Sequence, residues 1–452
     1  MGRRSHLQTL YLWMNGKFVG TWTLRSGDQD VLQYDHDWVA SAQGRPLSLS
    51  LPFQPDNAPH RGVLVRSYFE NLLSESREIR ERVARRFRLG AIDAFTLLAE
   101  VGRDCAGALQ VLPDARPPDS VRQVQAQALS ESDVANMLRR LPLPGPFSHI
   151  PTTGFDELRL SIAGAQEKTA FLWRDSQWWR PLGSTPTTHI FKLPLGLVGN
   201  LRFDMSDSVA NEWLCLEVLR AYGLPVALAH PLQFEDIKVL AVERFDRAWA
   251  ATSQDKAWII RLPQEDMCQA TGTPASLKYE SDGSPGIKTI LKLLGTSLAP
   301  ERDQRYFFQA QVIFWMLGAT DGHAKNFSLF LRSGGSFELA PFYDVLSAYP
   351  IMGKGANQLL PYKAKLAMAV RSKNVHWALR DIERRHWLSV GQEHGVVSPD
   401  GQSTAAVLDE LVARTPNVVR VVKAKLPKAF SQSVSDPIFE GLLLAADRLT
   451  GG

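Results

Sequence analysis

Residues 320–326 read TDGHAKN, and their flanking segments decide the fold. Upstream, residues 304–319 (QRYFFQAQVIFWMLGA) place Phe307, Phe308, Val312, Trp315 and Met316 in an apolar stripe at helical spacing. Downstream, FSLFL and FELAPFYD predict two strands turning at Ser333-Gly334-Gly335-Ser336, with Asp344 ending the second. A short polar loop therefore joins a buried helix to a β-hairpin. Nearer the N-terminus, residues 157–163, 168–174, 187–193 and 238–245 are strand-like. A helix starts at Ser206 or Asp207 and runs to Tyr222, with Gly223 as its stop. These predict a small antiparallel sheet with one helix packed on it. From about residue 264 the pattern turns helical, and after the hairpin the remaining hundred or so residues alternate apolar and basic helical patterns.

The first region has its own character. Residues 9–24 alternate around Asn15-Gly16, a dipeptide suited to a tight hairpin because both positions tolerate positive φ. A further strand is expected at 46–52 (PLSLSLP), helices at 67–74 and 76–88, and VGRDCAGALQVL (101–112) closes the region. The Pro-rich stretch PDARPPDSVRQVQAQ reads as a linker. The expected division is 1–115, a linker and helix over 116–150, a core over 151–247 carrying a phosphate loop and hinge, and a helical lobe over 248–452.

Composition narrows the class. The 452 residues are 44% hydrophobic and 22% charged, with a formal net charge of +4. That is globular composition, with no strong field drawing the whole molecule to nucleic acid or lipid. The basic run REIRERVARRFR (77–88) reads first as a solvated helix face, and second as a surface touching a partner's DNA. Cys105, Cys215 and Cys268 lack CxxC spacing, which argues against a zinc site or disulfide framework. No secretory signal or apolar membrane-length run is read, so a soluble cytoplasmic protein with no membrane partner is expected.

Asp321 and Asn326 carry the spacing D-x-x-x-x-N, which in protein kinases separates the catalytic carboxylate from a metal-binding amide. One loop can then present an acceptor for the substrate proton and, a turn later, a hard oxygen ligand. Asp344 stands where a second Mg²⁺ ligand belongs. Taken singly, Asp321 reads as an Asx-turn and Asp344 as a helix cap. Lys192, between Phe191 and Leu193, reads as the lysine for the ATP phosphates or as an edge lysine facing water. Glu212 is its candidate ion-pair partner. SIAGAQEKT (161–169) is a candidate phosphate cover or an ordinary turn, with Ser161 at its start. Glu243 fits an adenine hinge or a surface pair with Arg244 or Arg247. His323 reads first as structural, and otherwise as a phosphate contact.

The strings SIAGAQEKTA, TPTTHIFKLP, LAVERFDR, RLPQEDMCQATG, KYESDGSPGI, ATDGHAKNFS and PFYDVLSAYP resemble those of the HipA toxins. So do WMNGKFVG, RPLSLSLP, NLLSES and EVGRDCAGAL nearer the N-terminus. The resemblance implies an α+β, bilobal protein-kinase-like fold, with a mainly β N-lobe, a helical C-lobe and an extra N-terminal subdomain. It also implies an ATP- and Mg²⁺-dependent serine/threonine kinase, the toxin of a toxin–antitoxin pair. Asp321 matches the catalytic base, and Asn326 and Asp344 match the metal ligands. ATP contacts fall on Lys192, Glu243, His323, Asn326 and the loop Ala163, Gly164, Ala165, Gln166, Glu167 and Lys168. Ser161 matches the serine whose autophosphorylation expels the loop and silences the kinase. The implied acceptor is glutamyl-tRNA synthetase, whose modification halts translation and favours persistence. The implied partner is a HipB-like helix-turn-helix antitoxin dimer, flanked by two toxins on operator DNA. HRD before Asp321 and glycine after Asp344 are both missing, so a flipping metal loop is not assumed. A small-molecule or lipid kinase, and an inactive kinase fold acting only as corepressor, remain open at this stage.

Overall fold

The computed structural model describes residues 8–25, 29–142, 164, 166–199, 201–251 and 257–450. The expected strand at 157–163, and with it Ser161 and Ala163, lies outside the described residues, as does Ala165.

The N-terminal subdomain is a five-stranded antiparallel sheet with helices folded over it. Strands β1 (Gln8–Met14), β2 (Lys17–Arg25) and β3 (Gln29–Tyr34) form a meander, followed by helix α1 (His36–Ala40) and the short β4 (His60–Arg61). Helices α2 (Val63–Glu70), α3 (Arg77–Arg86) and α4 (Ala94–Val101) precede β5 (Leu109–Leu112), which returns beside β1. Asn15 and Gly16 adopt φ of 47° and 79°, the left-handed pair a tight hairpin requires. One apolar cluster runs from Leu10 to Val111 and includes Trp22 stacked on Phe69 at 3.8 Å.

The expected strand at 46–52 does not form. Its alternating leucines serve two cores instead of one sheet face. Leu47 and Leu51 are buried in the subdomain, while Leu49 packs on the core of the C-terminal lobe. Tyr34 Oη accepts from Leu47 N and donates to Leu51 O, satisfying the backbone that a ladder would have paired.

The N-lobe is built on a six-stranded sheet. Its members are β6 (Ala126–Ala128), β7 (Lys168–Arg174), β8 (Gln177–Pro181), β9 (His189–Lys192), and two strands that follow the small ribbon β10 (Gly196–Val198) and β11 (Phe203–Met205). Helix α5 (Glu131–Arg140) covers one face, and helix α6 (Ser208–Ala221) covers the other. The last two strands are β12 (Ala229–Phe234) and β13 (Ile237–Glu243), giving the order β12-β13-β9-β7-β8-β6. The passage read as a linker thus supplies an edge strand, and the helix after it supplies a face of the core. A Ser130 capping box starts α5, with Asp133 answering the cap.

Beyond the sheet come a hairpin, β14 (Arg247–Ala251) and β15 (Ala257–Arg261), then β16 (Gln264–Asp266) and helices α7 (Met267–Ala270), α8 (Ile287–Leu294) and α9 (Pro300–Met316). Every residue of α9 from Phe307 to Met316 is buried, so it is the central rod of the helical lobe. Strands β17 (Ser328–Leu331) and β18 (Phe337–Leu339) follow, with β17 pairing with β16 on one side and β18 on the other. The second expected strand stops at Leu339, because Pro341 has no N–H to give a ladder. Asp344 therefore ends no strand. It lies in a loop, at φ 60°. The last stretch is not wholly helical: β19 (Lys365–Arg371) and β20 (Val375–Ala378) precede α10 (Arg384–Glu393), α11 (Thr404–Lys425) and α12 (Gln432–Leu449). Among the described residues no helix is long and apolar enough to cross a membrane.

Candidate active site

Strand alternation sets the first half of the site. On β9, Phe191 faces the cluster under α5, so Lys192 faces the opposite side, toward α6. β9 lies between β13 and β7, so Lys192 is not on an edge. Its ammonium is buried and meets Glu212 Oε1 at 2.7 Å and Asp344 Oδ1 at 2.5 Å. Burial opposes its charge, but the two carboxylates outweigh burial and hold its pKa above the usual lysine range. Asp344 responds in the opposite sense: burial would raise its pKa, yet Lys192 and Lys168 keep it well below the carboxylate range. Lys168 lies directly across the ladder from Lys192. Burial and the neighbouring Lys192 push it down to about 8.

The loop after α9 supplies the second half. Gly318 ends the helix at φ 61°, and the chain turns through Asp321 with His323 N donating to Asp321 O. Asp321 is exposed, and its Oδ1 accepts from Tyr279 Oη at 2.7 Å. Asn326 is buried and donates from Nδ2 to Asp344 Oδ2 and O, both at 3.2 Å. Its Oδ1 is buried with no hydrogen-bond partner. His323 packs edge-on against Tyr279, and burial lowers its pKa against the pull of Asp321. Its Nδ1 also has no partner.

These groups converge on one cavity of about 240 Å³ between the lobes. Gly164, Gln166, Lys168, Lys192, Glu243, Asp321, His323 and Asp344 all line it, with Asn326 behind Asp344. Glu167 is the described loop residue that turns aside, pairing with Arg82 of α3. That contact uses one arginine of the basic helix inside the molecule. Glu243 stands where β13 leaves the sheet. The arginines considered as its surface partners are committed elsewhere, Arg244 and Arg247 each to Asp104 and Asp246.

The donor set suits a hard cation. Among the described residues no three His, Cys, Asp or Glu side chains cluster as a metal site. An orphaned buried amide oxygen on Asn326 beside the Asp344 carboxylate is what a Mg²⁺ sharing phosphate and water ligands would use. Sequence reasoning missed several lining residues: Asn71 and Glu75 from the N-terminal subdomain, and Lys278 beside Tyr279. Their strings, NLLSES and KYESDGSPGI, drew notice only as family strings, since nothing in their spacing signals a site.

Two family models match the chain: the HipA N-terminal domain over residues 10–112 and the HipA-like C-terminal domain over 160–419. A putative kinase of Sinorhizobium fredii, Y4mE, is 33% identical over 400 residues, covering 87% of each chain. The chain belongs to the HipA family. The serine/threonine-protein kinase toxin HipA of Shewanella oneidensis is 26% identical over 359 residues, covering 76% of this chain and 74% of that one. A solved structure of HipA, HipB and operator DNA from Shewanella oneidensis matches with a TM-score of 0.74 at 20% identity. The match covers 98% of this chain and 97% of that one, so the chain shares the HipA fold, a bilobal α+β kinase-like fold with an added N-terminal subdomain.

Proposed function

We propose that this HipA-family chain is an active serine/threonine protein kinase and the toxin of a toxin–antitoxin pair. The observation that carries the reading is the meeting of three distant segments at one cavity: Lys192, Asp344 and the loop of Asp321, with Asn326 of that loop bonded to Asp344. Phosphoryl transfer asks little covalent chemistry of a protein, and these parts meet its demands for position and charge. Asp321 takes the proton of the acceptor hydroxyl as that oxygen bonds to the γ-phosphorus and the bond to the departing ADP oxygen breaks. Lys192 and Lys168 line the phosphate side, and Glu243 the hinge side. Asp344 and Asn326 hold Mg²⁺, which when bound offsets charge on the phosphate oxygens. A complete polar set argues against a dead kinase serving only as corepressor.

The finer reading follows the family. The proposed acceptor is glutamyl-tRNA synthetase, whose phosphorylation stops translation and favours persistence. Autophosphorylation of Ser161 limits the activity. A HipB-like helix-turn-helix dimer bound to operator DNA is the proposed antitoxin, with this chain as corepressor; the Shewanella HipA solved with HipB and operator DNA supports that reading. Phosphoproteomics after brief expression of wild type beside Asp321→Gln tests all of this. The expected result is phosphate on Ser161 and on the synthetase with wild type alone, and antitoxin binding by both. A variant that stays toxic would remove Asp321 from its role. Label on lipid or metabolite only would move the chain to another kinase class.

A further inference from the structure

One carboxylate outside the kinase lobes pairs with a lysine of the loop that carries Asp321 and Asn326 and with a lysine of the segment that braces it. Glu75 follows α2 in the N-terminal subdomain and is largely buried, its side chain 15% exposed. Its Oε2 accepts from Lys278 Nζ at 3.1 Å, and its Oε1 lies 3.7 Å from Lys325 Nζ with no hydrogen bond of its own. Each lysine adjoins a working group. Lys278 precedes Tyr279, which donates to Asp321, and Lys278 O accepts from Ala324 N at 3.4 Å. Lys325 precedes Asn326.

Lys325 is itself buried and fully engaged. Its Nζ donates to Asp266 Oδ2 and to Asn71 Oδ1, both at 2.8 Å, and to Asn71 O at 3.0 Å. Burial opposes its charge, while Asp266 and Glu75 sustain it. All three hydrogen bonds of this ammonium go to protein partners. Its work is to pin the backbone between Asp321 and Asn326. Two of its three neighbouring side chains, Asn71 and Glu75, come from the N-terminal subdomain. The remaining one, Asp266, caps α7 of the kinase lobe.

Resting on the kinase reading above, we infer that Glu75 is a positioning residue supplied by the N-terminal subdomain to the phosphotransfer centre. Through Lys278 and Tyr279 it steadies the carboxylate of Asp321. Through Lys325 it steadies Asn326. The subdomain is thus a working wall of the active site, and catalysis depends on its remaining docked.

The test uses the full chain with Glu75→Gln, Glu75→Asp and Lys278→Met, γ-labelled ATP, Mg²⁺ and dephosphorylated casein as acceptor. Glu75→Gln is expected to lower kcat about tenfold or more while KM for ATP stays within about twofold, because small misplacements of catalytic groups cost that much. Glu75→Asp recovers part of the rate. Amide exchange quickens in peptides covering 278–284 and 319–327, and is unchanged in 300–316. Unchanged kcat and unchanged loop exchange would overturn the proposal. Exchange rising equally in every segment would overturn it too, since Glu75 would then serve stability alone. Should Glu75→Gln not fold, Lys278→Met cuts one arm, and unaltered exchange at 278–284 and 319–327 in that variant sinks the idea. If wild type transfers no phosphate, the kinase reading fails by itself, and the exchange data still decide whether Glu75 orders the loop.

Discussion

At the scale of single residues, burial turns ordinary side chains into special ones. Glu265 is 1% exposed, with Leu49 N donating to Oε1 and no partner for Oε2. Burial pushes its pKa up to about 8. Above the ordinary glutamate value of about 4.3, the unfolded chain has lost a proton that the folded state keeps. Stability should therefore fall as pH rises from that value through about 8, then level off. The expected slope from this group is up to about 1.4 kcal/mol per pH unit. Urea melts between pH 5 and pH 8.5 check this, and Glu265→Gln should flatten the curve and be the more stable protein at the alkaline end. Nothing in QED at 264–266 announces such a group. Lys192 was legible in part, since a lysine between apolar strand neighbours needs a partner, and Glu212 is that partner. Its second partner, Asp344, lies far along the chain, and pattern alone could not join them.

At the scale of elements, local rules were reliable where backbone geometry is intrinsic. Asn15-Gly16 takes its hairpin conformation, and Gly223 ends α6 at φ 85°. Gly20 adds a constraint the pattern did not show. The β1–β2 ladder slips between Leu12 and Trp13, and a Cβ at Gly20 would sit 2.2 Å from Gln33 O and 2.9 Å from Tyr34 Cα. Backbone on both sides leaves nothing free to move. Gly20→Ala should destabilise the subdomain by about 2 kcal/mol or more, read as a lower urea midpoint. Elements were misread where tertiary partners replace local ones. PLSLSLP alternates like a strand, yet it is a bridge between two cores. FELAPFYD is strand only to Leu339, and the left-handed turn at Asp344 aims its carboxylate at Lys192.

At the scale of the whole molecule, the subdomain and the N-lobe are joined by buried charge. Asp104 receives Arg244, Arg247 and Arg261 at 3.2, 2.8 and 3.4 Å, and Asp246 accepts from Gly107 N. Burial would raise the pKa of Asp104, but the three arginines hold it well below the carboxylate range. Its contribution to stability is present above the ordinary aspartate range and is lost only as pH falls through that depressed value. Asp104→Asn should cost about 3–5 kcal/mol, because it strands buried guanidinium groups. Limited proteolysis should then cut between the subdomain and the N-lobe, and a melt should show two steps instead of one.

What the sequence determined by itself is the local and the ordered: the tight hairpin at Asn15-Gly16, the buried α9, and the polar loop with Asp321 and Asn326 before a hairpin. Its family strings also placed the chain among the HipA proteins, which the matched domain models show. What only the tertiary structure decided is the meeting of distant groups. Lys192, Asp344 and Glu212 form one ion cluster, and Glu75 reaches Lys278 and Lys325 from another subdomain. The reason is physical. Backbone preferences act over a few neighbouring residues and are written in them, whereas the energy of a buried charge depends on which partners the packed chain brings within a few ångströms.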